Sequence, residues 1–99
     1  MIRHIVAWNH QESFTPDEKE QHAQEIKAKL EALPQWIDNI ASIEVLTHPM
    51  SSCTHDMMLV SLFPDEESLA AYQVHPEHKK VSAFVRSVMT DRICVDYQE

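Results

Sequence analysis

Residues 2–9 (IRHIVAWN) alternate, with Ile2, His4, Val6 and Trp8 on one side and Arg3, Ile5, Ala7 and Asn9 on the other. Period-two alternation predicts a strand, and this one carries apolar groups on both faces. At Thr15-Pro16-Asp17-Glu18 the pattern changes. Thr15 can cap a helix, proline suits its first position, and Glu18 can reach back to close a capping box. The helix is expected to run to about Leu33, with Ala23, Ile26, Leu30 and Leu33 as its apolar stripe and Lys19, Glu20, Lys27 and Glu31 facing water. Pro34 ends it. Residues 40–47 (IASIEVLT) read as a second strand, residues 48–54 as a polar loop, and residues 56–63 (DMMLVSLF) as a third strand. The third is almost continuously apolar, as expected of a strand buried on both sides. Pro64-Asp65-Glu66-Glu67 opens a short helix through Tyr72, its acids placed where the helix dipole favours them. A further helical run starts at Pro76 and carries Val81, Phe84, Val85 and Val88, and residues 92–97 (RICVDY) form a last strand.

The order β-α-β-β-α-β is the ferredoxin-like pattern, an α+β fold with a four-stranded antiparallel sheet and helices on one face. The other face of such a sheet is left apolar here and has to be covered. An identical chain is the simplest cover, giving a homodimer with a barrel-like α/β interior.

A chain of 99 residues is one small domain, expected to span residues 1–99. Its net charge of −8, with eight basic residues scattered along it, argues against nucleic acid or an anionic membrane as partner. The N-terminal ten residues turn polar too soon for a signal peptide or a membrane span, so the cytoplasm is the expected compartment. Cys53 and Cys94, 41 residues apart and outside any CxxC, read as free thiols. Glycine is absent, which excludes nucleotide-binding glycine loops and leaves turns to Pro, Asn, Asp, Ser and His. No cofactor is expected.

The segment with most chemistry is residues 72–78, YQVHPEH. Pro76 breaks one helix and starts the next, which puts His75 near the N-cap and His78 in the first turn. His78, Val81, Val85 and Val88 then share one stripe, so His78 points toward the sheet while Lys79, Lys80 and Arg86 point away. The positive end of the helix dipole disfavours imidazolium there, and a neutral inward histidine can act as a base. Tyr72, just upstream, can orient a substrate or steady an oxyanion through its hydroxyl. A plain reading competes: His78 bonds within the core and Tyr72 packs. A metal site is rejected, because two histidines at i and i+3 across a helix break, or His48 and His55 flanking a loop, fall short of a zinc signature.

The opening IRHIVAW, the AAYQVHPEH segment and the ending DRICVDY, in this order and spacing, closely resemble the stress-responsive A/B barrel (Dabb) domain family. The resemblance covers nearly the whole chain, and its most specific part is the Tyr-x-x-His-Pro-x-His run. It implies a dimeric α+β barrel and a family named for induction under stress in plant relatives. One plant branch catalyses an aldol cyclisation of a linear polyketide with a histidine base and an assisting tyrosine. By motif those positions match His78 and Tyr72, and the pocket's first-strand histidine matches His4, with Val6 and Trp8 on the same face. Where the plant cyclases carry a tyrosine on the first helix and a histidine on the third strand, this chain carries Ile26 and Met57. Arg92 stands where an apolar residue is usual on the last strand, bringing a cation near the cavity. The pocket implied is lined by His4, Val6, Trp8, Ile26, Met57, Leu59, Tyr72, His75, His78 and Arg92. It would serve a homodimer that binds an apolar small molecule. The alternatives are a cyclase or lyase with His78 as base, a cofactor-free monooxygenase on the same fold, and a non-catalytic structural dimer whose interior is filled by Trp8, Met57 and Met89.

Overall fold

The computed structural model describes residues 1–99. Strand β1 (Ile2–His10) leads into helix α1 (Pro16–Glu31), whose start is the anticipated capping box: Thr15 accepts from the Glu18 backbone and Glu18 accepts from that of Thr15. Helix α1 ends two residues before Leu33, which falls in a single 3₁₀ turn at Leu33–Gln35 and is still buried. Strands β2 (Ser42–Leu46) and β3 (Met57–Phe63), helices α2 (Glu66–Val74) and α3 (Pro76–Val88), and strand β4 (Met89–Gln98) complete the chain. The last strand starts three residues before the expected Arg92. Met89 is the extended residue that closes α3, so helix and strand share a junction with no loop. In this glycine-free chain the left-handed backbone positions fall to Asn39 and Asp91, residue types that tolerate them through local side-chain hydrogen bonding.

The sheet order is β2-β3-β1-β4 with every pair antiparallel. Register decides which residues meet. On the helix-covered face Val45, Leu59 and Val6 line up with Cys94, and Ser61 and His4 with Asp96. Ala23, Ile26 and Leu30 of α1, Leu69 and Tyr72 of α2, and Val81, Val85 and Val88 of α3 pack on this face as one core. Burying each of the Val, Leu and Ile side chains among them stabilises the fold by about 1.5–3 kcal/mol. The helices cover β2, β3 and β1 but leave β4 at an open edge, so Arg92, Cys94 and Asp96 are exposed although their strand neighbours are buried.

The opposite face carries no helix. It presents the cross-strand rows Ile93–Ala7–Met58–Leu46 and Val95–Ile5–Val60, continued by Tyr97 and Leu62. Leu46, Ile93, Val95 and Tyr97 are 41–51% exposed, far more than large apolar side chains in a finished core. Strand β3 is accordingly buried on the helix side only; Met58, Val60 and Leu62 are half-buried.

Lys27 and Glu31 do more than face water. Lys27 Nζ donates to the Val45 carbonyl at 2.7 Å, Glu31 accepts from the Val45 N–H at 2.9 Å, and the two side chains bond each other. One i,i+4 pair thus satisfies both backbone groups of Val45 on the outer edge of β2. An unpaired edge strand invites aggregation, and a charged cover blocks it. Burial pushes the Glu31 carboxyl up, but the bonds from Lys27 and Val45 outweigh it and hold it below the usual range.

Candidate functional site

His75 closes α2 and opens α3. Its backbone is extended (ψ 137°), as the residue before a proline requires, and its Nδ1 accepts from the Glu77 N–H at 3.0 Å. This hinge turns α3 so that His78, one turn in, lies over the sheet. Nδ1 of His78 lies 3.2 Å from the Gln73 carbonyl. A carbonyl only accepts, so the proton sits on Nδ1 and the lone pair on Nε2. Burial lowers the basicity of the ring; the Gln73 carbonyl opposes this, and His4, Arg92 and Arg86 lower it further. His78 is therefore neutral at pH 7, and burial is the largest reason.

Beside it, α3 and the β1–β4 half of the sheet enclose a cavity of about 100 Å³. Strand β1 contributes His4, Val6 and Trp8, β3 Leu59, and β4 Arg92. Helix α1 contributes Leu30, α2 Gln73, and α3 His78, Ser82, Val85 and Arg86. The cavity exists because β4 is the edge strand without a helix above it. Of the residues expected to line it, His4, Val6, Trp8, Leu59, His78 and Arg92 do so.

Four do not. Ile26 and Met57 are 0% and 1% exposed within the core and do not reach the cavity. His75 spends its side chain on the helix cap. Tyr72 is wholly buried, its ring 4.4 Å from that of His78 and 5.0 Å from that of Phe63, and its hydroxyl has no hydrogen-bond partner. Burial pushes that phenol up, which keeps it protonated. Arg86, expected to point away, lines the cavity. It continues the i, i+4 row His78–Ser82–Arg86 along the rim of α3, and its Nη1 donates to Ser82 Oγ at 3.0 Å. That row was readable at a spacing of four once α3 was placed. Leu30 and Gln73 come from other helices and carry no local signal.

His4 is 3% exposed, and its Nδ1 bonds the Asp96 carboxylate across the β1–β4 pair. Cys94 Sγ lies 3.9 Å from that nitrogen and 3.5 Å from Asp96 Oδ1. The ligand atoms of His4, Cys94 and Asp96 lie within 4.8 Å of one another, so this is the cluster able to hold a metal ion, and it differs from the histidine pairs weighed above. Burial, then Asp96, raises the Cys94 thiol, which keeps it protonated and within hydrogen-bond reach of Asp96. Both cysteines are free. His48 and His55 line a separate surface depression near His10, remote from His78.

A pH prediction follows from the ring chemistry. The folded-state values of His78 and, through burial, of His10 lie below the ordinary 6.5. Below about pH 6.5 the unfolded chain binds protons that the folded one refuses, so stability falls as pH falls toward the folded values. The groups around His78 act in the same sense: His4 from β1, Arg86 from α3 and Arg92 from β4. Urea midpoints at fixed protein concentration are expected to drop between pH 7.5 and 5.5. His78→Asn should flatten the slope to the part due to His10, and an unchanged slope would contradict this account.

Comparison with known proteins agrees with the geometry. The family model for the stress responsive A/B barrel domain matches residues 2–99. No curated protein gives a significant match to the sequence. Among solved structures, a dimeric protein of unknown function with a ferredoxin-like fold from Bacteroides fragilis is 30% identical, with a TM-score of 0.92 over 99% of this chain and 95% of that one. A dimeric ferredoxin-like protein of unknown function from Thermobifida fusca is 24% identical, with a TM-score of 0.80 over 99% and 90%. The hydroxynitrile lyase of Passiflora edulis shares the fold at 12% identity, with a TM-score of 0.79 over 97% and 90%. No helix is long and apolar enough to cross a membrane. With the β-α-β-β-α-α-β order, the bare sheet face and the Tyr72–His78 hinge all in place, the chain belongs to the stress responsive A/B barrel domain family.

Proposed function

We propose that the chain works as a homodimer that binds a small molecule in the cavity under α3. The single observation that carries this is the cavity itself: a partly open hollow with an apolar floor, beside a neutral histidine whose Nε2 is free to accept a proton or a hydrogen bond. Trp8, Met57 and Met89 are all buried, yet they do not fill the space, which argues against a purely structural dimer. At about 100 Å³ the enclosed part of a ligand is smaller than benzene, which occupies an engineered cavity of roughly 150 Å³. A linear polyketide would have to lie mostly outside. The bare sheet face pairs with that of a second copy, as the dimeric relatives from Bacteroides fragilis and Thermobifida fusca make reasonable.

A second reading has specific support. A histidine held neutral by burial, with its tautomer set by the Gln73 carbonyl, is suited to removing a proton next to a carbonyl. The Passiflora edulis enzyme establishes that this fold can host a lyase. Both readings are tested with a panel of small ketones, aldehydes, esters and short-chain carboxylates. Binding to the folded state raises the melting temperature, and the rise grows with the logarithm of ligand concentration above Kd. Base chemistry is read as exchange of the ligand's α-hydrogens in D₂O, followed by proton NMR. Wild type is expected to bind, and His78→Gln to keep binding while exchange drops at least about 100-fold, the lower range for a general base. Exchange that survives the substitution rules out His78 as the base, and a panel that never shifts the melting temperature rules out the cavity as a binding site.

A further inference from the structure

We propose that the ligand of this cavity is a small monocarboxylate, its apolar body on Val6, Leu59 and Val85 and its charge between Arg86 and Arg92. This rests on the cavity being a binding site, and adds the chemical class of what binds. The chain holds sixteen acidic residues and eight basic ones, and four of the basic ones, Lys19, Lys79, Arg86 and Arg92, make no ion pair; of these only the two arginines line the cavity. Of its three arginines, Arg3 is paired in bidentate fashion with Glu99. The other two, Arg86 and Arg92, have no acidic partner. They come from different elements, α3 and β4, and both line the same cavity.

No aspartate or glutamate lines that cavity. The nearby carboxylate of Asp96 is held by His4 and Cys94. The rim is therefore cationic over an apolar floor, inside a protein of net charge −8. Guanidinium groups present planar forks of N–H donors that match a carboxylate, and they stay charged at any relevant pH. Inorganic phosphate would satisfy the two arginines but leave the floor of Val6, Leu59 and Val85 unused. A neutral apolar molecule would fill the floor and leave both cations unpaired. A short-chain monocarboxylate uses both halves, and its chain fits the enclosed volume. In the same position His78 Nε2 and Gln73 stand beside the ligand as neutral polar groups.

The test compares butyrate, its uncharged near-isostere butyramide, and inorganic phosphate, each titrated into the wild-type protein and into R86Q/R92Q by calorimetry and ¹H–¹⁵N spectra. Both arginines are exposed, so the double variant keeps its fold. A hydrogen-bonded charge pair favours the carboxylate by at least about ten-fold over the amide. That preference is expected in wild type, with shifts at residues of α3 and β4, and is expected to vanish in R86Q/R92Q while butyramide binding stays the same. Equal affinity for butyrate and butyramide overturns the charge inference but leaves the cavity a binding site. Phosphate binding as tightly as butyrate overturns the role of the apolar floor. Undiminished butyrate binding by R86Q/R92Q places the anion elsewhere. Failure of every probe to bind removes the cavity reading as well.

Discussion

Val95→Glu is expected to turn the proposed dimer into a monomer. Val95 lies on the helix-free face, 51% exposed in the isolated chain, in the row it forms with Ile5 and Val60. If that face is the interface, two-fold symmetry brings in the substitution twice and buries two carboxylates with no counter-ion. An uncompensated buried charge costs about 3–5 kcal/mol, which weakens association by roughly 100- to 1,000-fold or more. Light scattering after gel filtration should show the single-chain mass at micromolar concentration. Circular dichroism should stay native, because the position is solvent-exposed within one chain and the helix-side core is untouched. A Val95→Glu protein that still runs as a dimer would place the interface elsewhere. Val95→Thr, close in shape and uncharged, should remain dimeric and so separates charge from volume.

Tyr72→Phe is expected to make the protein more stable. The Tyr72 hydroxyl is buried and no protein group bonds it. An unsatisfied buried hydroxyl costs about 1–3 kcal/mol, and phenylalanine removes it while keeping the ring against Phe63 and His78. For a domain of this size a gain of about 1 kcal/mol raises the melting temperature by roughly 4–8 °C. Tyr72 does not line the cavity, so the same substitution should leave ligand affinity unchanged. A lower melting temperature would mean that the hydroxyl is already satisfied. A higher one with affinity unchanged makes Tyr72 a packing residue.

These two expectations concern residues that the sequence made legible to different degrees. The alternation in β1 placed Val95's partner Ile5 on the face opposite His4, and the absence of any amphipathic helix to cover that face made a second copy the simplest partner. The burial of Tyr72 was not legible. An i−6 neighbour of His78 across a proline break could have pointed into the cavity or behind it, and only the angle between α2 and α3 settles that the ring lies behind the histidine. Lys27 and Glu31 show the same limit. Their helical positions were correct, but strand β2, fourteen or more residues on, turned a solvent-facing pair into a cover for Val45.

What the residue pattern determined by itself was local: the capping box at Thr15, the helix break at Pro76 that sets His78 in a first turn, the strand faces and the element order. Each depends on interactions within a few residues, where spacing translates directly into geometry. The cavity was decided by the tertiary structure. Its lining is drawn from α1, α2, α3, β1, β3 and β4, and leaving β4 outside the helical cover is a property of the sheet order. Ile26 and Met57 share a periodicity with residues that line the site, yet packing carries them into the core. Arg86 and Arg92 lie on separate elements with nothing local to pair them, and it is the placing of α3 beside the uncovered edge strand that brings both to one hollow.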